Sequence, residues 1–171
     1  MTVVGVVLVS GDAIESARLG GTTLIDHAVS ALRGSGVVDV VSVLSPPLSA
    51  FLGAGVEVVV LHDPHRPLAP ASLVRAVVAA VRAGADAAVP VVEVTETVKE
   101  VDAGGRIVRT VPRDELVQLQ YPRAVRPSAL RPDGSVVPDA RTVTVPGAVD
   151  AFPVRDELDL ELAAAVLAAR P

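Results

Sequence analysis

Eight residues near the middle of the chain, Leu61-His62-Asp63-Pro64-His65-Arg66-Pro67-Leu68, combine side chains that ligate cations, move protons and clamp phosphates. Asp63 offers a hard carboxylate, and Mg²⁺ typically takes one or two of these beside the phosphates of a substrate. Arg66, three residues on, can grip a phosphate. Asp is also a common turn former, so the same two residues can equally be a loop turn and its counter-ion. His62 and His65 bracket Asp63 and invite zinc, yet no second donor cluster completes a tetrahedral site and the chain has no cysteine.

These residues need a frame that presents them. The run Val56–Leu61, apolar except for Glu57, reads as a buried strand, so Asp63 and Arg66 emerge at its carboxyl end, where open α/β sheets gather ligands. Val3–Val9, Val37–Leu44 and Ala87–Val92 read as three further strands. Helices are expected between them, one capped by Thr22 or Thr23 and containing His27, a short one from Pro46 to Leu52, and one over Ala71–Ala83 with apolar residues in i, i+3, i+4 spacing. This β-α-β-α-β-α-β order predicts a parallel, right-handed, three-layer α/β sheet.

The pattern then changes. Val94–Val101 and Arg106–Val111 flank Asp102-Ala103-Gly104-Gly105 and read as an antiparallel hairpin, either a plain surface hairpin or a dimerising arm. Arg113–Leu119 is expected as a short helix, followed by a proline-punctuated irregular region, a short strand at Val143–Val145 and an extended piece at Val149–Val154. Asp156–Ala169 closes the chain as a helix, with Leu158, Leu162, Val166 and Leu167 expected on its buried face. No linker separates two domains, so residues 1–171 are expected as one domain with a β-arm subregion over 94–126.

Composition narrows the function. Hydrophobic residues make up 50% of the chain but aromatics only 2%, and the net charge is -5, which disfavours stacking platforms and polyanion binding, hence nucleic acid. The long apolar stretch around the third helix carries Arg75, Arg82 and Asp86, too much charge for a membrane span. With no positive n-region before the first strand, no signal peptide is expected, and the expectation is a soluble cytoplasmic protein. Lys99 is the only lysine, against fourteen arginines. No dinucleotide-binding or P-loop glycine motif follows the first strand, and there is no nucleophile elbow.

In this order, several segments resemble the 2-C-methyl-D-erythritol 4-phosphate cytidylyltransferases of non-mevalonate isoprenoid synthesis. His62-Asp63-Pro64-His65-Arg66-Pro67 is similar to the family's H-D-A-A-R-P. Glu96-Thr97-Val98-Lys99 stands for D-T-x-K, Thr110-Val111-Pro112-Arg113 for T-x-x-R, Gln120-Tyr121-Pro122-Arg123 for Q-T-P-Q, and Gly147 to Val154 for G-x-x-x-N-I-K-[VI]. Leu19 to His27 resembles L-x-G-x-T-x-L-E-H-S. The resemblance implies a Rossmann-like nucleotidyltransferase fold with a protruding antiparallel β-arm that pairs two subunits, and CTP-dependent nucleotidyl transfer to a sugar phosphate. It places Mg²⁺ between Asp63 and Asp150, the nucleotide against Ser10 and Gly11, catalytic cations at Arg18 and Arg66, and the sugar phosphate at Thr97 and Arg113.

The departures bear on activity. The segment Val9 to Arg18 is shorter than the family's glycine-rich loop and carries Asp12 and Glu15, whose charge is wrong for phosphates. The family's second catalytic lysine falls on Pro153, and no room is left between Leu44 and Val56 for the cytosine-contacting segment. Removing a preorganised cationic clamp costs several kcal/mol of transition-state stabilisation. A degenerate paralogue with lost or much reduced transfer is therefore expected, serving as a binding or partner subunit. The alternative is an active enzyme in which Arg18 replaces the missing lysines.

Overall fold

The β-branched runs become strands in the computed structural model, which describes residues 1–51, 53 and 55–170. Among these residues the order is β1 (Thr2–Leu8), β2 (Arg18–Leu19), β3 (Thr22–Thr23), α1 (Leu24–Gly34), β4 (Val40–Leu44), β5 (Val56–His62) and α2 (Ala71–Arg82). There follow β6 (Ala87–Glu93), β7 (Val98–Val101), β8 (Ile107–Val111), β9 (Val117–Leu119), β10 (Arg123–Val125), β11 (Thr142–Pro146) and α3 (Glu157–Ala168).

The main sheet has the order β11-β6-β10-β5-β1-β4, with β9 added to the far end of β6. β5, β1 and β4 are parallel, as are β6 and β11, while β10 runs antiparallel between β5 and β6. Val58 and Val60 point to the face covered by α1 and α2, whereas Val59 and Leu61 point to the other. Both faces are covered, so β5 reads as a continuous apolar run, as buried parallel strands do. Each of these side chains is fully buried, contributing about 1.5–3 kcal/mol.

Gly5 lies on the α1 face, where a Cβ would meet Val38 at 3.0 Å and Leu32 at 3.1 Å, so its missing side chain lets α1 approach the sheet. The opposite face is covered by irregular segments around Leu48 and Ala129–Leu130. No helix among the described residues is long and apolar enough to cross a membrane.

Four local expectations change. Between Pro46 and Leu52 only a 3₁₀ turn, Ser49–Phe51, forms; Leu52 itself lies outside the described residues. Arg113–Leu119 is a 3₁₀ turn leading into β9, because Val117–Leu119 finds a free edge of β6. Val149–Val154 makes no strand; its backbone bonds go to a turn, Ala151 N to Ala148 O, and to the loop after β5. Along α3 the buried side is Ala163 with Leu160, Val166 and Leu167, while Leu158 and Leu162 are exposed. Apolar residues surround that helix on most sides, so periodicity could not choose its face.

Candidate functional site

The loops after β1 and β5 lie side by side because those strands are parallel neighbours. In the loop after β5, the Asp63 N–H donates to His62 Nδ1 at 3.0 Å, which leaves the proton of the neutral ring on Nε2. That Nε2 is buried without a partner among the described residues. Burial holds the imidazole down to about 4, with Arg66 adding to the drop and Asp63 opposing it. Asp63 Oδ1 accepts from the His65 N–H at 2.9 Å and lies 2.8 Å from His65 Nδ1.

Arg66 does not pair with Asp63 side chain to side chain. Its guanidinium is buried and donates to the Ala151 carbonyl through Nη1 and to the Leu119 carbonyl through Nη2 at 3.4 Å. Burial lowers its pKa, against the opposing pull of Asp63. Arg66 thus ties the loop after β5 to the turn before α3, and Val154 N to His65 O, 2.7 Å, makes a second tie.

The loop after β1 is closed by its own side chain. Asp12 caps the 3₁₀ turn Ala13–Ser16, and this turn carries Glu15 back under the loop, where it is 2% exposed. Its carboxylate accepts from Ser10 N and Ser10 Oγ, both at 2.8 Å, and from Gly11 N at 3.1 Å. Gly11 has φ of +87°, a conformation that suits glycine and aims its N–H at the carboxylate. Successive amides converging on an anion form a nest of the kind that binds phosphate. Ser10 and Gly11, expected at the nucleotide, here face a carboxylate of the same chain. Reading Glu15 as a repulsive charge aimed at an incoming phosphate missed this contact; the only signal was a carboxylate five residues after Ser10.

Arg18 starts β2 and its Nη1 donates to the Gly21 carbonyl at 2.6 Å, so its guanidinium serves its own hairpin turn. His65 Nε2 comes within 3.8 Å of Asp12 Oδ2, linking the two loops. Asp150 is exposed, 3.6 Å from the Arg170 guanidinium, which also donates to the Leu68 carbonyl.

Thr97 and Arg113 lie at the base of the hairpin, both exposed; Arg113 Nη1 reaches the Thr95 carbonyl at 3.5 Å. The sole lysine, Lys99, donates to Thr110 Oγ1 across the hairpin at 2.7 Å. The loops Ser10–Ala17, Asp63–Leu68 and Ala148–Val154 are therefore brought together, and Thr97 and Arg113 belong to the arm.

In the sequence Gln120 stands out only as part of the Gln120-Tyr121-Pro122-Arg123 segment. It is buried, and its amide accepts from Ala148 N at 3.0 Å and donates to Ala148 O at 2.8 Å, holding the turn before α3 as a strand would.

Asp63 and Asp150 would give Mg²⁺ at most two carboxylates, the rest of its shell coming from substrate phosphates and water. One Asp63 oxygen is engaged by His65, Asp150 faces a guanidinium, and no three His, Asp or Glu side chains among the described residues converge on a point. Near-octahedral oxygen coordination would need most of its ligands from elsewhere.

Comparison with known proteins follows the same lines. The sequence model of the 2-C-methyl-D-erythritol 4-phosphate cytidylyltransferases matches residues 42–137. A protein of that name from Frankia casuarinae is 38% identical over 88% of this chain and 72% of its own length. One from Streptomyces avermitilis is 33% identical over 89% and 83%. Among solved structures, the cytidylyltransferase of Thermus thermophilus superposes with a TM-score of 0.79 at 24% identity, covering 99% of this chain and 100% of that one. A 4-diphosphocytidyl-2C-methyl-D-erythritol synthase from Anaerococcus prevotii gives 0.81 at 17% identity, covering 98% of each chain. The fold is the α/β nucleotidyltransferase fold of these structures, β-arm included.

Proposed function

Because the chain belongs to the 2-C-methyl-D-erythritol 4-phosphate cytidylyltransferase family, we propose that it is a member that has given up CTP-dependent nucleotidyl transfer and keeps the frame of the site. In that reaction an oxygen of the sugar phosphate bonds to the α-phosphorus of CTP, the bond to the β-phosphate breaks, and pyrophosphate leaves. The charge on the departing phosphates must be met by fixed cations. Here the observation that carries the proposal is Glu15, which fills the nest at Ser10 and Gly11 with a carboxylate where a triphosphate would need those amides. Arg18 is held by Gly21, and Pro153 stands where a lysine would serve.

Incubated with CTP, Mg²⁺ and methylerythritol phosphate, the protein is expected to release no pyrophosphate above the blank, and calorimetry is expected to show no CTP binding. Turnover that disappears in Asp63→Ala would overturn the proposal and favour an active enzyme using Arg18.

The β-arm is proposed to pair two copies. Val101, Ile107 and Val108 on the hairpin and Val117 and Leu119 on β9 are all more than half exposed, apolar side chains that a second copy can bury. Lys99–Thr110 and Glu100–Arg109, 2.6 Å apart, hold the hairpin's register. Sedimentation is expected to find twice the 17.5 kDa chain mass, and Ile107→Asp with Val108→Asp to halve it while the circular dichroism spectrum stays that of the folded chain. A single species at chain mass in the unmodified protein would reject the pairing.

A further inference from the structure

A cleft of about 470 Å³ opens where β6 and β11 end, between β9 and the turn before α3. Such a volume is in the range of small-molecule sites, roughly 300–1,000 Å³. The carboxyl ends of parallel strands are also where α/β sheets bind ligands. Val91, Val92 and Phe152 supply its apolar body, and Glu93, Thr95 and Gln118 supply polar groups.

Its wall is rigidly built. Gly147 N donates to Val91 O at 2.8 Å, and the Gln120 amide clamps the adjacent Ala148 on both its N–H and its carbonyl. A Cβ at Gly147 would come within 2.8 Å of the Val91 carbonyl, so only glycine allows this approach. The charge is as informative as the shape. Among the described residues no lysine or arginine lines the cleft, and its one ionisable side chain is Glu93.

We infer that this cleft is a binding site for an uncharged, mainly apolar small molecule carrying a hydroxyl- or amide-type group, and that it selects against phosphorylated ligands. A hydroxyl can be satisfied by Thr95 and Gln118. A phosphate would meet the Glu93 carboxylate at the cleft, and like charges repel. The cleft stands apart from the Ser10–Glu15 nest, so its selectivity does not depend on whether nucleotidyl transfer has been lost.

The test uses one carbon skeleton with two head groups, cyclohexylmethanol and cyclohexylmethyl phosphate, titrated into the isotopically labelled chain while backbone amide resonances are followed. The alcohol is expected to shift Val91, Val92 and Gly147, and the phosphate ester to bind there at least about tenfold more weakly. Glu93 is exposed, so Glu93→Arg should fold normally, and it is expected to erase most of that tenfold difference between the two head groups. Equal or tighter binding of the phosphate ester at Val91 and Gly147 overturns the inference, as does an unchanged ratio in Glu93→Arg. Absence of any shift by the alcohol at its solubility limit overturns it too. Shifts by the phosphate ester at Ser10 and Gly11 instead would count against the closed nest and leave the selectivity of the cleft standing.

Discussion

Glu15→Ala is expected to destabilise the chain by roughly 2–4 kcal/mol and, in the same step, to create an anion site in the loop after β1. The carboxylate is 2% exposed and accepts three hydrogen bonds, two from main-chain amides and one from a hydroxyl. Hydrogen bonds to a charged group contribute about 1.5–3 kcal/mol each. The sum is discounted because Ser10 and Gly11 are exposed and water can reach their N–H groups once the carboxylate is gone. Glu15→Gln keeps one oxygen for Ser10 but turns an NH₂ group toward Gly11, so its cost should lie between wild type and alanine. Urea unfolding measures the loss. Inorganic phosphate supplies the second readout, since a ligand bound only by the folded state stabilises in proportion to the logarithm of its concentration. Phosphate should raise the stability of Glu15→Ala and leave wild type unchanged. Were Glu15→Ala as stable as wild type and indifferent to phosphate, the nest would not depend on its carboxylate.

That contact also marks how far the chain could be read from its letters. The strands of the parallel core were legible because both faces of the sheet are covered, so Val3–Val7 and Val58–Leu61 carry apolar residues without interruption. The hairpin was legible because Asp102-Ala103-Gly104-Gly105 has turn chemistry: Asp102 Oδ1 accepts from the Gly104 and Arg106 N–H groups, and Gly105 has φ of +77°. β10 was not legible, although it lies between β5 and β6 at the heart of the sheet. It is only Arg123-Ala124-Val125, and three residues set between Pro122 and Pro127 cannot display a period of two. The position of Asp63 at a strand end was legible. The company of Arg66 was not, since its partners are the carbonyls of Leu119 and Ala151, 53 and 85 residues away, and a carbonyl leaves no mark in the side-chain sequence. Glu15 lies between these cases: its charge was visible, but its direction depended on a 3₁₀ turn of four residues.

Acid is expected to weaken the fold through His62, by roughly 3 kcal/mol between pH 6.5 and pH 4. The ring is fully buried at the end of β5, its Nδ1 already accepts the Asp63 N–H and its Nε2–H has no partner among the described residues, so a second proton would displace that N–H and leave a buried charge. Its folded value of about 4 lies below the ordinary 6.5, so between those values the unfolded chain binds the proton and the folded chain does not. Stability from this group is therefore complete above pH 6.5, falls as the pH drops through the window, and stops falling below about 4, where both states are protonated. Carboxylates titrate at the lower edge of the same window, so the comparison with His62→Asn isolates the histidine. Asparagine can offer its oxygen to the Asp63 N–H but cannot ionise. It leaves a cavity that lowers stability at neutral pH by about 1–3 kcal/mol, and its stability should then be flatter with pH than that of wild type. Equal slopes for the two proteins between pH 6.5 and pH 4 would assign the acid sensitivity to another group. Because His62 directly precedes Asp63 and lies within the electrostatic reach of Arg66, a protonated His62 would first disturb the loop that holds both.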